Sequence, residues 1–190
     1  MDLVVGEATP DYLFHPHVPG RVRRAIPAAK LIVVLRDPVD RAFSHYWHQV
    51  ERGHERLSFD EAIRSEDERL AGELERMLQD DTYLSFARHH YSYATRGRYA
   101  EQLEWWLALF PREQIALVDG RSLFEDADAV SRELQTFLGV PPVDLGPFPR
   151  YNAFTAGEMS AGTRAELVDR FRAPNERLYE LAGRDYGWAR

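Results

Sequence analysis

Leu31-Ile32-Val33-Val34-Leu35-Arg36-Asp37-Pro38-Val39-Asp40-Arg41-Ala42-Phe43-Ser44-His45-Tyr46 is the stretch on which the fold turns. Its first five residues are apolar without alternation, the pattern of a parallel strand covered on both faces. Arg36-Asp37-Pro38 ends the run. Asp37 is a natural N-cap, Pro38 suits the first helical position, and Val39, Ala42, Phe43, Tyr46, Trp47 and Val50 then recur at helical spacing. A strand running directly into a helix is therefore expected here.

Upstream, the short apolar run Leu3-Val4-Val5 closes at Gly6 and reads as another strand. Between the two runs, residues 18–26 carry Val22, Ala25 and Ile26 on one helical stripe, bounded by Pro19 and Pro27. Downstream, Ser58-Phe59-Asp60-Glu61 has the form of a capping box, opening a charged helix to about Met77. Residues 99–110 place Leu103, Trp106, Leu107 and Phe110 on one helical face and stop at Pro111. Residues 115–118 read as a third strand, and residues 126–138 as a helix stopped by Gly139. A Pro- and Gly-rich loop follows over 141–150. Two short helices, near 163–172 and 174–182, close at Gly183. Strands alternating with helices predict an α/β fold, a three-layer α/β/α arrangement on a parallel sheet, as one domain across residues 1–190.

The chain has 190 residues and a formal net charge of −7, which argues against a nucleic-acid partner that would reward a basic face. Its 44% hydrophobic content separates it from disordered sequences. There is no cysteine, so disulfides, Cys-ligated zinc and thiol nucleophiles are excluded. No apolar run approaches the ~20 residues that span a bilayer, and the first residues lack the pattern of a signal peptide. No membrane association and a cytoplasmic location are expected. Lys30 is the single lysine, so any chemistry that needs a lysine has one candidate. His15-Pro16-His17, His45 with His48, and His89-His90 lack the spacing of a known metal site, and no metal is expected.

In parallel sheets ligands sit beyond the carboxyl ends of the strands. There, Arg36 offers a planar fork suited to a phosphate, beside a helix N-terminus whose dipole favours anions. Ser44 lies six residues beyond Pro38, ~9 Å along the helix axis, and adds a hydroxyl. His48 stands one turn further on the same face. Arg-Asp-Pro is equally compatible with a plain helix cap and a neighbouring ion pair. Glu7 follows the first apolar run and is, taken alone, a surface carboxylate. Trp105 and Trp106 read as packing residues, and Tyr91, Tyr93 and Tyr99 either line a pocket or flank a loop.

Taken in order, these residues resemble the sulfotransferases that use 3′-phosphoadenosine 5′-phosphosulfate, in particular the heparan sulfate branch and its bacterial relatives. Residues 31–46 look like the family's 3′-phosphate-binding strand, turn and helix. Gly6-Glu7-Ala8-Thr9-Pro10-Asp11-Tyr12 looks like the segment carrying its general base. Gly97-Arg98-Tyr99 with Leu103 and Trp106, then Phe110-Pro111 and Val118-Asp119-Gly120, follow the downstream pattern, as does the ending from Asn175 to Trp188.

The resemblance implies a P-loop-like nucleotide fold and transfer of a sulfuryl group by in-line displacement, without a metal, to a hydroxyl or amine of a small-molecule or carbohydrate acceptor. Arg36 and Ser44 would hold the 3′-phosphate. Glu7, in a partly desolvated setting, would be the general base, with His48 as a second catalytic residue. Arg150 and Arg164 are further candidates for nucleotide contact. The family's opening strand and Gly- and Thr-containing loop, whose lysine reaches the bridging oxygen, find no match before Gly6, and Lys30 does not supply it. The chain is thus expected to hold about the last three quarters of such a domain. The missing cysteines point to the bacterial, cytoplasmic side of the family. The alternative expectation is an inactive domain that only binds adenosine 3′,5′-bisphosphate or an acidic sugar.

Overall fold

The computed structural model describes residues 4–146 and 157–188. The deciding stretch forms the strand, turn and helix expected, but the strand is not covered on both faces: among the described residues nothing buries Ile32 and Val34. Leu31–Leu35 forms β1, and Pro38–Glu51 forms α2, preceded in the chain by α1 at Val18–Ala25. The Asp37 carboxylate accepts from the N–H groups of Val39 (2.8 Å) and Asp40 (3.3 Å), which stops the strand and starts the helix. Ile115–Asp119 forms β2, which pairs with β1 in parallel from Leu31↔Ile115 to Leu35↔Asp119. The expected α/β class with a parallel sheet is what the structure shows, and among the described residues that sheet has two strands.

The strand expected at Leu3-Val4-Val5 does not appear among the described residues. Leu3 lies outside the described residues, and Val4 and Val5 are 59% and 81% exposed, in no strand. Three apolar residues do not make a strand by themselves; a neighbouring edge must accept them, and among the described residues no backbone hydrogen bond joins this run to β1.

The capping box at Ser58 and Glu61 opens α3, Phe59–Leu70, as expected, but the helix does not continue to Met77. Gly72 adopts φ +75°, a left-handed conformation that breaks the helical path, and α4 restarts at Glu73–Gln79. Phe86–Tyr91 forms α5, capped by the Ser85 hydroxyl on Arg88 N–H (3.0 Å), an element the sequence pattern did not announce. The helix expected over 99–110 is α6, Tyr99–Leu107. After β2 come α7, Ser122–Glu125, and α8, Ala127–Leu138, which Asp126 caps and Gly139 closes at φ +76°.

The two short helices expected near the end are one, α9, Ala161–Ala182, with Pro174 inside it. Pro174 forfeits one backbone bond, yet Leu167, Phe171, Asn175 and Leu178 form one buried stripe across it. Fully burying side chains such as Phe171 and Leu178 contributes about 1.5–3 kcal/mol each, enough to hold the helix through its defect. That stripe also joins two cores. Leu167 and Phe171 pack with Val39, Ala42 and Ile63, whereas Leu178 packs with Leu35, Tyr99 and Leu103. On the sheet's opposite face Ile32 and Val34 stay 40% and 53% exposed.

Candidate active site

The carboxyl end of β1 carries Arg36, the first exposed residue after fully buried Leu35. Its backbone is fixed, because the Tyr99 hydroxyl of α6 donates to the Arg36 carbonyl at 3.0 Å. Burial raises the Tyr99 pKa, so that hydroxyl keeps its proton. The Arg36 guanidinium has no hydrogen-bond or ion-pair partner among the described residues. Ser44, on α2, is half-buried, and its hydroxyl likewise has no protein partner among them. Two unclaimed donors beyond a strand's carboxyl end are suited to a phosphate. The expected contribution of the helix end is different, however: the Asp37 carboxylate already occupies the N–H groups that would have faced the anion.

His48 follows one turn after Ser44, exposed, with Nδ1 3.8 Å from a Glu51 carboxylate oxygen. Arg164, near the start of α9, reaches Asp40 in the first turn of α2 at 3.0 Å, which brings a cation beside the same helix end. Arg150 lies outside the described residues. Glu7 lies beside β1. Its carboxylate accepts from the Thr9 hydroxyl (2.7 Å), and with Tyr12 it lines a cavity of about 500 Å³ floored by Ile32 and Val34. The partly desolvated setting expected for Glu7 is absent, since the residue is exposed. No hydrogen bond or ion pair joins Glu7 to Arg36, Ser44 or His48 among the described residues. Nor do three His, Asp or Glu side chains among them stand close enough to hold a metal ion.

Sequence reasoning missed the support beneath this site. Glu66 of α3 is fully buried, and its carboxylate accepts from the backbone N–H groups of Ala94 and Thr95, both at 2.7 Å. Burial raises its pKa against the opposing effect of those two bonds. Arg41 of α2 donates to the Tyr93 carbonyl, and burial lowers its pKa to about 10. His45 is held neutral by burial and by the adjacent Arg41 charge. The turn over 94–97 is thus gripped from α3 and α2. At Gly97 a Cβ would come within 2.9 Å of both the Phe171 ring and Pro38, so only glycine allows this approach. The turn then leads into α6 and delivers Tyr99 to Arg36. A signal was present for Glu66: it follows Phe59, Ala62 and Ile63 on the apolar stripe of α3, where a carboxylate needs a partner.

A second clamp ties down the segment that follows Glu7. Asp11 pairs with Arg96 and lies 2.9 Å from His89 Nδ1. Burial alone would raise the Asp11 pKa, but Arg96 and then His89 together hold it below the ordinary carboxylate value.

The sequence profile of the sulfotransferase domain matches residues 9–146, a segment that contains Arg36, Ser44 and His48 and leaves out Glu7 and Arg164. Among curated proteins, the chain is 38% identical over 72% of its length to the bifunctional heparan sulfate N-deacetylase/N-sulfotransferase 3 of Homo sapiens, covering 14% of that protein. It is 26% identical over 97% of its length to the membrane-associated sulfotransferase kil1 of Dictyostelium discoideum, covering 53% of that protein. The crystal structure of a sulfotransferase from Alicyclobacillus acidocaldarius superposes with a TM-score of 0.72 at 34% identity, covering 95% of this chain and 65% of that one. The chain therefore spans about half of one curated relative and a smaller part of the other. With most of its length matched by the profile, and with the strand, turn and helix of the deciding stretch inside the match, the chain belongs to the sulfotransferase domain family.

Proposed function

We propose that this chain serves transfer of a sulfuryl group from 3′-phosphoadenosine 5′-phosphosulfate to a hydroxyl or amine acceptor, in keeping with its family. The observation that carries the reading is the pair of unclaimed donors among the described residues, Arg36 just after β1 and Ser44 in the second turn of α2. A guanidinium fork and a hydroxyl there suit the nucleotide's 3′-phosphate, with hydrogen bonds to the charged group contributing about 1.5–3 kcal/mol each. In this reading Arg164 adds positive charge beside α2, and Arg150 is a further contact. Glu7 takes the acceptor's proton, with His48 able to share it, and the remaining work is positioning and charge stabilisation during in-line displacement. Relatives named for heparan sulfate support a carbohydrate acceptor. A bacterial, cytoplasmic enzyme is part of the same proposal, tested by fractionating the source cells.

A second reading, binding without turnover, is favoured by one observation: Glu7 is exposed and, among the described residues, linked to none of the other candidates. Two experiments separate the readings. Calorimetric titration with adenosine 3′,5′-bisphosphate should give saturable binding in both, and its absence removes both. Sulfuryl transfer to a panel of sugar and phenol acceptors, with Glu7→Gln as control, should show activity that the variant loses only under the first reading. Full activity in the variant would overturn the general-base role.

A further inference from the structure

A cavity of about 470 Å³ opens between the N-terminal segment, α4 and α5, away from Arg36 and Ser44. Phe14, Met77, Leu84 and Phe86 give it an apolar lining, and Arg88 and Arg96 both stand in its wall. Arg88 is only 6% exposed, yet its Nε has no hydrogen-bond partner, and no carboxylate pairs with it among the described residues. Its guanidinium carbon lies 4.2 Å from the centre of the Phe14 ring, and that of Arg96 lies 4.7 Å from the same ring. Arg96 is matched by Asp11. The Glu73 carboxylate, which could have served Arg88, is taken instead by the hydroxyls of Tyr83 (2.8 Å) and Ser85. Burial first and the Arg96 charge second lower the Arg88 pKa, and the more distant carboxylates of Glu75 and Glu73 offset them only in part.

A buried cation with no carboxylate in direct contact, beside an apolar cavity, gains from a ligand that supplies the anion. We propose that this cavity binds a monoanionic amphipathic ligand, an aryl or alkyl carboxylate, whose head pairs with Arg88 and whose apolar body lies against Phe14, Met77 and Leu84. A single free guanidinium matches a single carboxylate through two parallel bonds. The nearby carboxylates of Asp11 and Glu73 disfavour a dianion. The site does not depend on the sulfuryl-transfer reading, because its occupancy is measured without donor nucleotide and without turnover.

The test is calorimetric titration of the whole chain with 4-phenylbutyrate, and in parallel with 4-phenylbutanol and 4-phenylbutylamine, which share the body and change the head. The carboxylate should bind saturably and at least about tenfold tighter than the alcohol or the amine. Arg88→Met should weaken it by about tenfold or more while leaving the apo-protein's Tm unchanged or higher, since it removes a buried charge that no carboxylate contacts directly. Leu84→Glu, at a position 81% exposed on the cavity rim, places a like charge there without touching the core and should weaken binding similarly. It decides the matter if the Arg88 variant does not fold. Absence of saturable binding, equal affinity for the three heads, or affinity unchanged in Leu84→Glu would overturn the proposal.

Discussion

Arg36→Ala removes a guanidinium that nothing in the protein's described residues uses, so its loss should fall on ligand affinity and spare stability. Loss of charge-assisted bonds of about 1.5–3 kcal/mol corresponds to about 10- to 150-fold weaker adenosine 3′,5′-bisphosphate by calorimetry, with a Tm shift within about 1–2 °C. A large fall in Tm would mean that Arg36 is structural instead. Glu55 is the contrasting residue. Its buried carboxylate bonds to Arg69 (2.5 Å), the Tyr93 hydroxyl (2.9 Å) and the backbone N–H groups of Arg56 and Leu57. Burial alone would raise its pKa, but these partners, Arg69 first, bring it below the ordinary 4.5. A depressed folded-state pKa means that the unfolded chain takes up its proton first. The stabilisation is therefore present above about pH 4.5 and is lost as pH falls through the folded value. Glu55→Gln should cost about 3 kcal/mol at neutral pH and flatten the decline of Tm below pH 4.5, measured by thermal melts across pH 3–7. A variant whose Tm declines as steeply as the parent's would contradict this.

Among the elements, β1, α2, α3 and α8 were legible because each carries its own punctuation: Asp37-Pro38, the Ser58 box, and Asp126 with Gly139. The elements misread lacked local signals or were overruled by packing. α5 is only six residues long, too short for a periodicity to show. Pro174 reads locally as a break, but α9 spans two cores and continues through it. Replacing Pro174 should then be favourable. Pro174→Ala restores a backbone donor and relieves the clash with the preceding turn, and is expected to stabilise by about 1–3 kcal/mol, raising the Tm by roughly 2–10 °C in a thermal melt. An unchanged or lower Tm would mean that α9 needs the local distortion for its packing.

At the scale of the molecule, Arg36 and Ser44 stand out as candidates in the sequence because one continuous segment carries both. The grip of Glu66 and Arg41 on the turn over 94–97 could not, because it joins residues 28 to 52 positions apart. The same long-range logic governs α9. Its upper half supplies Leu167 and Phe171 to the core with Val39 and Ile63, and its lower half supplies Leu178 to the core with Leu35 and Tyr99. Gly97, pressed against both Phe171 and Pro38, places a third junction between them, immediately before α6. Neither core can then be lost while α9 stays docked on the other without exposing part of the shared stripe. Unfolding should therefore appear as one calorimetric transition with equal van't Hoff and calorimetric enthalpies. Phe171→Ala and Leu178→Ala, each costing about 3–5 kcal/mol for a fully buried side chain, should both move that single transition downwards. If the two variants instead split it into separate steps, each lowering its own, the two cores would be independent and α9 a tether between them.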